Sequence, residues 1–299
     1  MAEMNEEESR EDGLKKHVQA SEIGKRIMAE ISVKPGMKIA DIVDGLEKHI
    51  IEYGGQPAFP VNVSCNELAA HDTKSVGDTR TIGEKDVVKV DVGVHVDGYI
   101  VDTAVTVDLS GEQGKLLEAA HKALDDAIAT MRAGKNTAEI GAVIENVIKK
   151  AGFKPIENLG GHSLDQYNLH SGLEIPNYAA RSGDVLEEGD VIAVEPFATT
   201  GVGRVFEAAR CEIFSALLPM PTRNSAAREM FNTIAEKYKT LPFAEHWIVK
   251  RPEDKLALRE LIRTGSIRSY PVLKEKGNGL VSQFEHTVIV EKDGVKLLL

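Results

Sequence analysis

The stretch VDVGVHVDGYIVD at positions 90–102 sets Asp91, Asp97 and Asp102 in an otherwise apolar run with β character. Asp97-Gly98 suits the two central positions of a tight hairpin turn, which favour φ > 0. Pairing Val96 with Tyr99 places Gly93 opposite Asp102 and Asp91 opposite Ala104. Opposed residues share a face, and so do residues two apart along a strand, so Asp91 and Asp102 point to one side roughly 7 Å apart. Two carboxylates so placed in a poorly solvated interior repel, so that one takes up a proton or both share a cation. Glycine opposite Asp102 leaves room for something other than a side chain. An exposed hairpin with solvated acids satisfies the same pattern.

Other groups could join this pair. GGHSLDQYNLHSG (160–172) carries His162 and His170 among glycines, ELAAHDT (67–73) carries His71, and QFEHTVIVE (283–291) sets Glu285 in a β-rich apolar run. Each alone also reads plainly: loop histidines at 162 and 170, a helix-end histidine at 71, a solvent-facing glutamate at 285. With Glu195 of DVIAVE (190–195), two aspartates, two glutamates and a histidine, without thiolates, form a hard donor set. It suits paired Mn²⁺, Fe²⁺, Co²⁺ or similar ions bridged by carboxylates better than a structural zinc. Two ions about 3.5–4 Å apart activate water and polarise a carbonyl, which is hydrolytic chemistry.

The elements that must position these groups form a repeat. PGMKIADIVDGLEKHIIEYG (35–54) and AGKNTAEIGAVIENVIKKAG (133–152) match at an offset of 98, with Gly36/Gly134, Ala40/Ala138, Ile42/Ile140 and Gly54/Gly152 in register. Both have apolar residues at three-to-four spacing, as amphipathic helices do, and both place a glycine as a C-terminal cap. DVVKVD (86–91) is echoed by DVIAVE (190–195), so Asp91 and Glu195 take equivalent places on equivalent strands. Helices over 15–33 and 115–132 precede the two repeat helices. The pattern predicts an α+β chain of two pseudo-twofold-related α/β halves, with central antiparallel β-structure, helices outside and carboxylates of both halves at one cleft.

The bulk composition agrees. With 299 residues and 42% apolar content the chain can bury a large core. No window approaches the roughly 18 apolar residues of a membrane span, and the acidic start MAEMNEEESRED is unlike a signal peptide, which places the expected protein in the cytoplasm. Cys65 and Cys211 are too few for a disulfide framework. The net charge is −11, of which residues 1–12, an acidic tail, supply −5. That balance opposes non-specific binding to nucleic acid.

Five motifs, AFPVNVSCNELAAH (58–71), KVDVGVHVDGYIVDTAVTV (89–107), GGHSLDQYNLHSG (160–172), AVEPFATTG (193–201) and VLKEKGNGLVSQFEHTVIVE (272–291), carry a resemblance over nearly the whole chain. The sequence resembles the type 2 methionine aminopeptidases of the compact archaeal kind, which share the pita-bread fold with Xaa-Pro peptidases and creatinases. The resemblance implies removal of an N-terminal methionine before a small second residue (Gly, Ala, Ser, Thr, Pro, Val or Cys), with peptides and nascent chains as substrates. It implies two divalent ions (Co, Mn, Fe, Zn or Ni), bridged by Asp102 and Glu285, with Asp91 on one and His162 and Glu195 on the other. It further implies that Glu195 would move the proton to the leaving amine, and that His71 and His170 would bind the substrate amide and the oxyanion. Phe59, Leu169, Phe197 and Tyr270 match the methionine pocket.

The same resemblance divides the chain into the tail 1–12, a catalytic body 13–204 and 269–299, and an insertion 205–268 with a likeness to winged-helix topology. The insertion reads as helical. Asn224 or Ser225 caps a helix bearing Met230, Phe231, Ile234 and Tyr238, and a second helix over 253–263 carries Leu256, Leu258, Leu261 and Ile262. It lacks a basic reading helix and is expected to cap the cleft and deliver Tyr270. Xaa-Pro peptidases use the same ligands, but the insertion and LPFAEHW (241–247) resemble the methionine enzymes. A non-catalytic pita-bread binding module is the rival of another class. A monomer suffices, and a ribosome contact follows only from the implied role.

Overall fold

The computed structural model describes the backbone of residues 2–299 and side chains from residue 11 onward. Strands Val87–Val96 and Tyr99–Asp108 form the expected hairpin, with Val96 opposite Tyr99, Gly93 opposite Asp102 and Asp91 opposite Ala104. Asp97 (φ 50°) and Gly98 (φ 90°) take the left-handed conformations of the turn. The hairpin is not exposed. Strands Gln56–Pro57 and Asn62–Cys65 flank its first arm, and Val88, Val90, Val92 and Val94 are fully buried. The room expected over Gly93 is already taken: a Cβ there would lie 2.3 Å from Cε1 of Phe59, whose ring covers the glycine.

The repeat helices are Ile39–Glu52 and Thr137–Lys150. Each ends two residues before a glycine of positive φ, Gly54 (91°) and Gly152 (88°), with Tyr53 or Ala151 as the C-cap between, as an αL cap requires. Helices Ala2–Glu30 and Gly114–Thr130 precede them, and the first runs back through the acidic segment, so residues 2–12 continue the helix expected from 15. Each pair buries its apolar stripe against its own sheet. Ile27, Ile42, Leu46 and Ile50 pack with the valines of the hairpin. Leu124, Ile140 and Ile144 pack with Ile192, Val194 and Val288. Each such side chain removed from water contributes about 1.5–3 kcal/mol before entropy is charged against it. The second sheet is antiparallel, in the order Gly294–Leu297, His286–Glu291, Val191–Val194, Gly160–Ser163, Glu174–Pro176.

Among the described residues the two sheets meet through one bridge, Ala104 to Glu285, and threonine hydroxyls supply the hydrogen bonds that a ladder would otherwise make. Thr103 Oγ1 donates to the Glu285 carbonyl (2.9 Å) and Thr106 Oγ1 to that of Gln283 (2.6 Å). Thr287 does the same from the other side, to Asp102. The site lies along this seam.

The insertion holds strands as well as the two expected helices. Helices Ser225–Lys237 and Pro252–Thr264 are present, and Asn224 rather than Ser225 is the cap, accepting from Ala227 N. A three-stranded antiparallel sheet, Phe243–Ala244, Ile213–Ala216 and Ile267–Tyr270, packs beneath them. Phe231, Ile234, Ala257, Leu258 and Leu261 fill the space between. Leu256 (61% exposed) and Ile262 (40%) were expected on that face but point outward, because the second helix turns Ala257 inward. Strand Val205–Glu207 pairs with Leu273–Glu275 and through it with Leu68–Ala70, joining a sheet outside the insertion. The LPFAEHW segment latches to the first half, where Glu47 accepts from Trp247 Nε1 (2.7 Å) and lies 3.3 Å from His246 Nε2.

Candidate metal centre

A cavity of about 410 Å³ opens on the seam, and every residue singled out by sequence for metal or substrate lines it: Asp91, Asp102, His162, Glu195 and Glu285, with His71, His170, Phe59, Leu169, Phe197 and Tyr270. The hairpin supplies Asp91 and Asp102. Strand Gly160–Ser163 supplies His162, buried in a strand rather than a surface loop. Glu195 follows strand Val191–Val194, and Glu285 sits between Val281–Gln283 and His286–Glu291. The pseudo-twofold expectation is thereby realised in space, with acids of both halves facing one another. His162 Nε2 lies 3.6 Å from Glu195 Oε1 and 3.9 Å from Asp102 Oδ2. Donor atoms of Asp102, His162 and Glu285 all fall within 4.8 Å of one another.

The electrostatics of these side chains favour a bound cation. Burial pushes Asp91 up to about 7. Burial, then the charge of Asp91, raises Asp102 well above the carboxylate range. Glu195 and Glu285 rise likewise, from burial first and then from Asp102 and the other acids. Burial lowers His162 to about 3, with His170 adding to the effect. Asp91 Oδ1, Asp102 Oδ1 and His162 Nδ1 are buried without a hydrogen-bond partner. Four crowded carboxyls, a neutral imidazole and orphaned acceptors are a donor set that a cation relieves, so the residues fit divalent metal.

His71 directly follows strand Leu68–Ala70, with φ 60°, and is not at a helix end. Its Nδ1 faces the Pro271 carbonyl at 3.2 Å. A carbonyl only accepts, so Nδ1 carries the proton and Nε2 is left as an acceptor. Burial lowers this imidazole to about 4, keeping it neutral. Tyr270 packs edge-on against it, ring centroids 5.7 Å apart. The next residue, Asp72, is clamped by Arg80 (2.8 Å) and by Arg210, which fixes the backbone from both sides. His170 lies at the mouth, its ring 4.2 Å from that of His162. The loop carrying Leu169 and His170 is pinned at Tyr167, whose N–H donates to Gly98 O (2.9 Å) and whose ring lies where a Cβ on Gly98 would be.

Sequence reasoning missed three residues here. Gln283 is 1% exposed, and its Nε2 reaches Glu285 Oε2 at 3.2 Å and Asp91 Oδ2 at 3.5 Å, holding two acids apart. Lys89 is fully buried; its Nζ donates to Asn66 O (3.1 Å) and Val281 O (3.0 Å), and burial lowers it to about 8. Asn62 stands opposite Asp91 in the sheet. Two-residue spacing gave the signal in the first two cases, since Gln283 and Lys89 precede Glu285 and Asp91 by two and share their faces.

Metallopeptidase family M24 matches residues 15–292, and the chain belongs to it. The methionine aminopeptidase of Archaeoglobus fulgidus is 50% identical over 284 residues, covering 94% of this chain and 97% of that protein. Among solved structures, a thermophilic Arx1 superposes with a TM-score of 0.84 at 22% identity, covering 96% of this chain and 90% of the other. The methionine aminopeptidase of Thermotoga maritima gives 0.71 at 20% identity, covering 96% of both chains. The two structures show the fold, pita-bread, and the family implies a divalent metal and peptide substrates.

Proposed function

We propose that the protein removes the N-terminal methionine from peptides and nascent chains with a small second residue, by hydrolysis at a dinuclear metal site. The observation that carries this reading is the convergence of Asp91, Asp102, His162, Glu195 and Glu285 on one cavity whose lining also includes Phe59, Leu169, Phe197 and Tyr270. On this reading Asp91, Asp102, His162, Glu195 and Glu285 would hold the ions. Bound there, the ions lower the pKa of water and polarise the peptide carbonyl.

The remaining work falls to the chain's own groups. Glu195, whose carboxyl burial and neighbouring acids raise, is suited to take a proton and pass it to the leaving amine. His71 offers only the Nε2 acceptor and therefore receives the N–H of the scissile amide. Donation to the developing oxyanion then falls to His170. The apolar walls take the methionine side chain, and the limited volume keeps the second residue small. We place this activity in the cytoplasm, in a monomer; salt-dependent co-sedimentation tests any contact with ribosomes.

The deciding assay uses protein stripped of metal and resupplied with Mn²⁺ or Co²⁺, given Met-Ala-Ser and Ala-Pro-Ser. Methionine released only with metal, and an intact proline peptide, is the expected result. Attack on the proline peptide alone assigns the site to Xaa-Pro chemistry, and cleavage of neither sinks the peptidase reading.

A further inference from the structure

Asn62 lines the cavity, is 4% exposed, and stands directly opposite Asp91 in the antiparallel pair of Asn62–Cys65 with Val87–Val96. Opposed residues share a face, so both side chains look into the same space. The amide orientation follows from chemistry. Nδ2 lies 2.7 Å from the Pro60 carbonyl, which only accepts, so the nitrogen must be there and the oxygen on the other side. That oxygen, Oδ1, is buried with no hydrogen-bond partner, as is Oδ1 of Asp91 across the pair. A native interior rarely leaves such acceptors unpaired unless something arrives to meet them.

We infer that Asn62 Oδ1 accepts an N–H of the substrate's free α-amine, making Asn62 a residue that selects for an unblocked N-terminus. This rests on the aminopeptidase reading and deepens it. Asp91 and Asn62 set two acceptors side by side, one anionic and one neutral. An amine has N–H groups enough to meet both, whereas an acylated nitrogen has one N–H and extra bulk. The neutral oxygen adds direction without adding charge to a place already crowded with carboxylates.

The test is calorimetric titration of metal-loaded protein with L-methionine and with its des-amino analogue, 4-(methylthio)butanoic acid. Wild type, Asn62→Ala and Asn62→Asp are compared, the last keeping an acceptor oxygen should the alanine variant fold poorly. Asn62→Ala is expected to bind methionine about tenfold more weakly and the analogue with unchanged affinity, which is the scale of one hydrogen bond to a polar or charged donor. Asn62→Asp is expected to keep the preference for methionine. Equal losses for both ligands, or no loss for methionine, overturn the inference. So does a change confined to metal affinity, measured by titrating each stripped variant with Mn²⁺, since Asn62 would then serve the ions. A wild type that neither binds methionine nor releases it from Met-Ala-Ser sinks the aminopeptidase reading and this inference with it. Wild-type discrimination that survives in Asn62→Ala sinks the role of Asn62 alone.

Discussion

Thr287 and Asp102 hold each other across the two halves of the chain. The threonine hydroxyl accepts from the Asp102 N–H at 2.7 Å and donates to the Asp102 carbonyl at 2.8 Å, and both residues are buried. One side chain thus fixes the backbone that carries a cavity-facing carboxylate, at the place where, among the described residues, the sheets share one bridge.

Thr287→Val keeps the shape and removes both hydrogen bonds, leaving a buried N–H and C=O unpaired. We expect a loss of about 3 kcal/mol in stability and roughly tenfold in metal affinity. Thr287→Ser should restore most of both. Denaturant melts and Mn²⁺ titrations measure them, and a valine variant as stable and as tight as wild type would refute the role.

Asp102 is 3% exposed, and its Oδ1 has no partner, so the fold does not depend on it for a hydrogen bond. Asp102→Ala should abolish release of methionine from Met-Ala-Ser while the circular dichroism spectrum stays that of wild type. Removing one of four crowded acids should leave the melting temperature of the stripped protein unchanged or higher. Retained hydrolysis in this variant would mean that the metal assignment is wrong.

Gly93 lies under the Phe59 ring, with 2.3 Å between an added Cβ and Cε1. In Gly93→Ala the ring must swing into the cavity it lines. The expected result is a several-fold higher KM for Met-Ala-Ser with kcat much less affected, and about 1–3 kcal/mol of lost stability from overpacking. A variant with unaltered KM would show that Phe59 does not shape the substrate pocket.

Glu275 is fully buried, and its carboxylate accepts from the backbone N–H groups of Val202 (2.6 Å), Gly203 (3.1 Å), Gly277 and Gly279 (3.0 Å). Burial pushes this carboxyl up, but the four donors outweigh it and hold it below the ordinary 4.5. A depressed folded-state pKa gives stability that is complete above the unfolded value and lost as pH falls through the folded one. In Glu275→Gln the amide turns N–H against N–H on one side. We expect the variant to be about 3 kcal/mol less stable at pH 7, with the gap closing as the pH drops below about 4.5. A gap that does not change with pH would show that the charge is irrelevant.

Much of the architecture could be read directly. The register of the hairpin followed from Asp97-Gly98 and strand periodicity, and the two helix–strand repeats followed from apolar spacing and capping glycines. These are local rules, in which each residue's partners lie a few positions away. The insertion was harder. Its three strands are two to four residues long, too short for alternation to show, and pair between positions as far apart as Ile213 and Tyr270. Leu256 and Ile262 fitted a helical period, and only packing against Phe231 and Ile234 decided that Ala257 turned inward instead.

The sequence by itself marked the candidate metal donors, because hard donors in apolar runs are chemically conspicuous and the family resemblance selects among them, and it paired Asp91 with Asp102 through the sheet geometry. The tertiary structure decided how they are used. It set Phe59 over Gly93, committed the His71 proton to Pro271, stitched the halves with Thr103, Thr106 and Thr287, and left Asn62 Oδ1 without a donor. Each depends on groups far apart in the chain meeting at contact distance. A hydrogen bond or a ring contact is a matter of tenths of an ångström, and residue types and spacing do not carry that information across a fold.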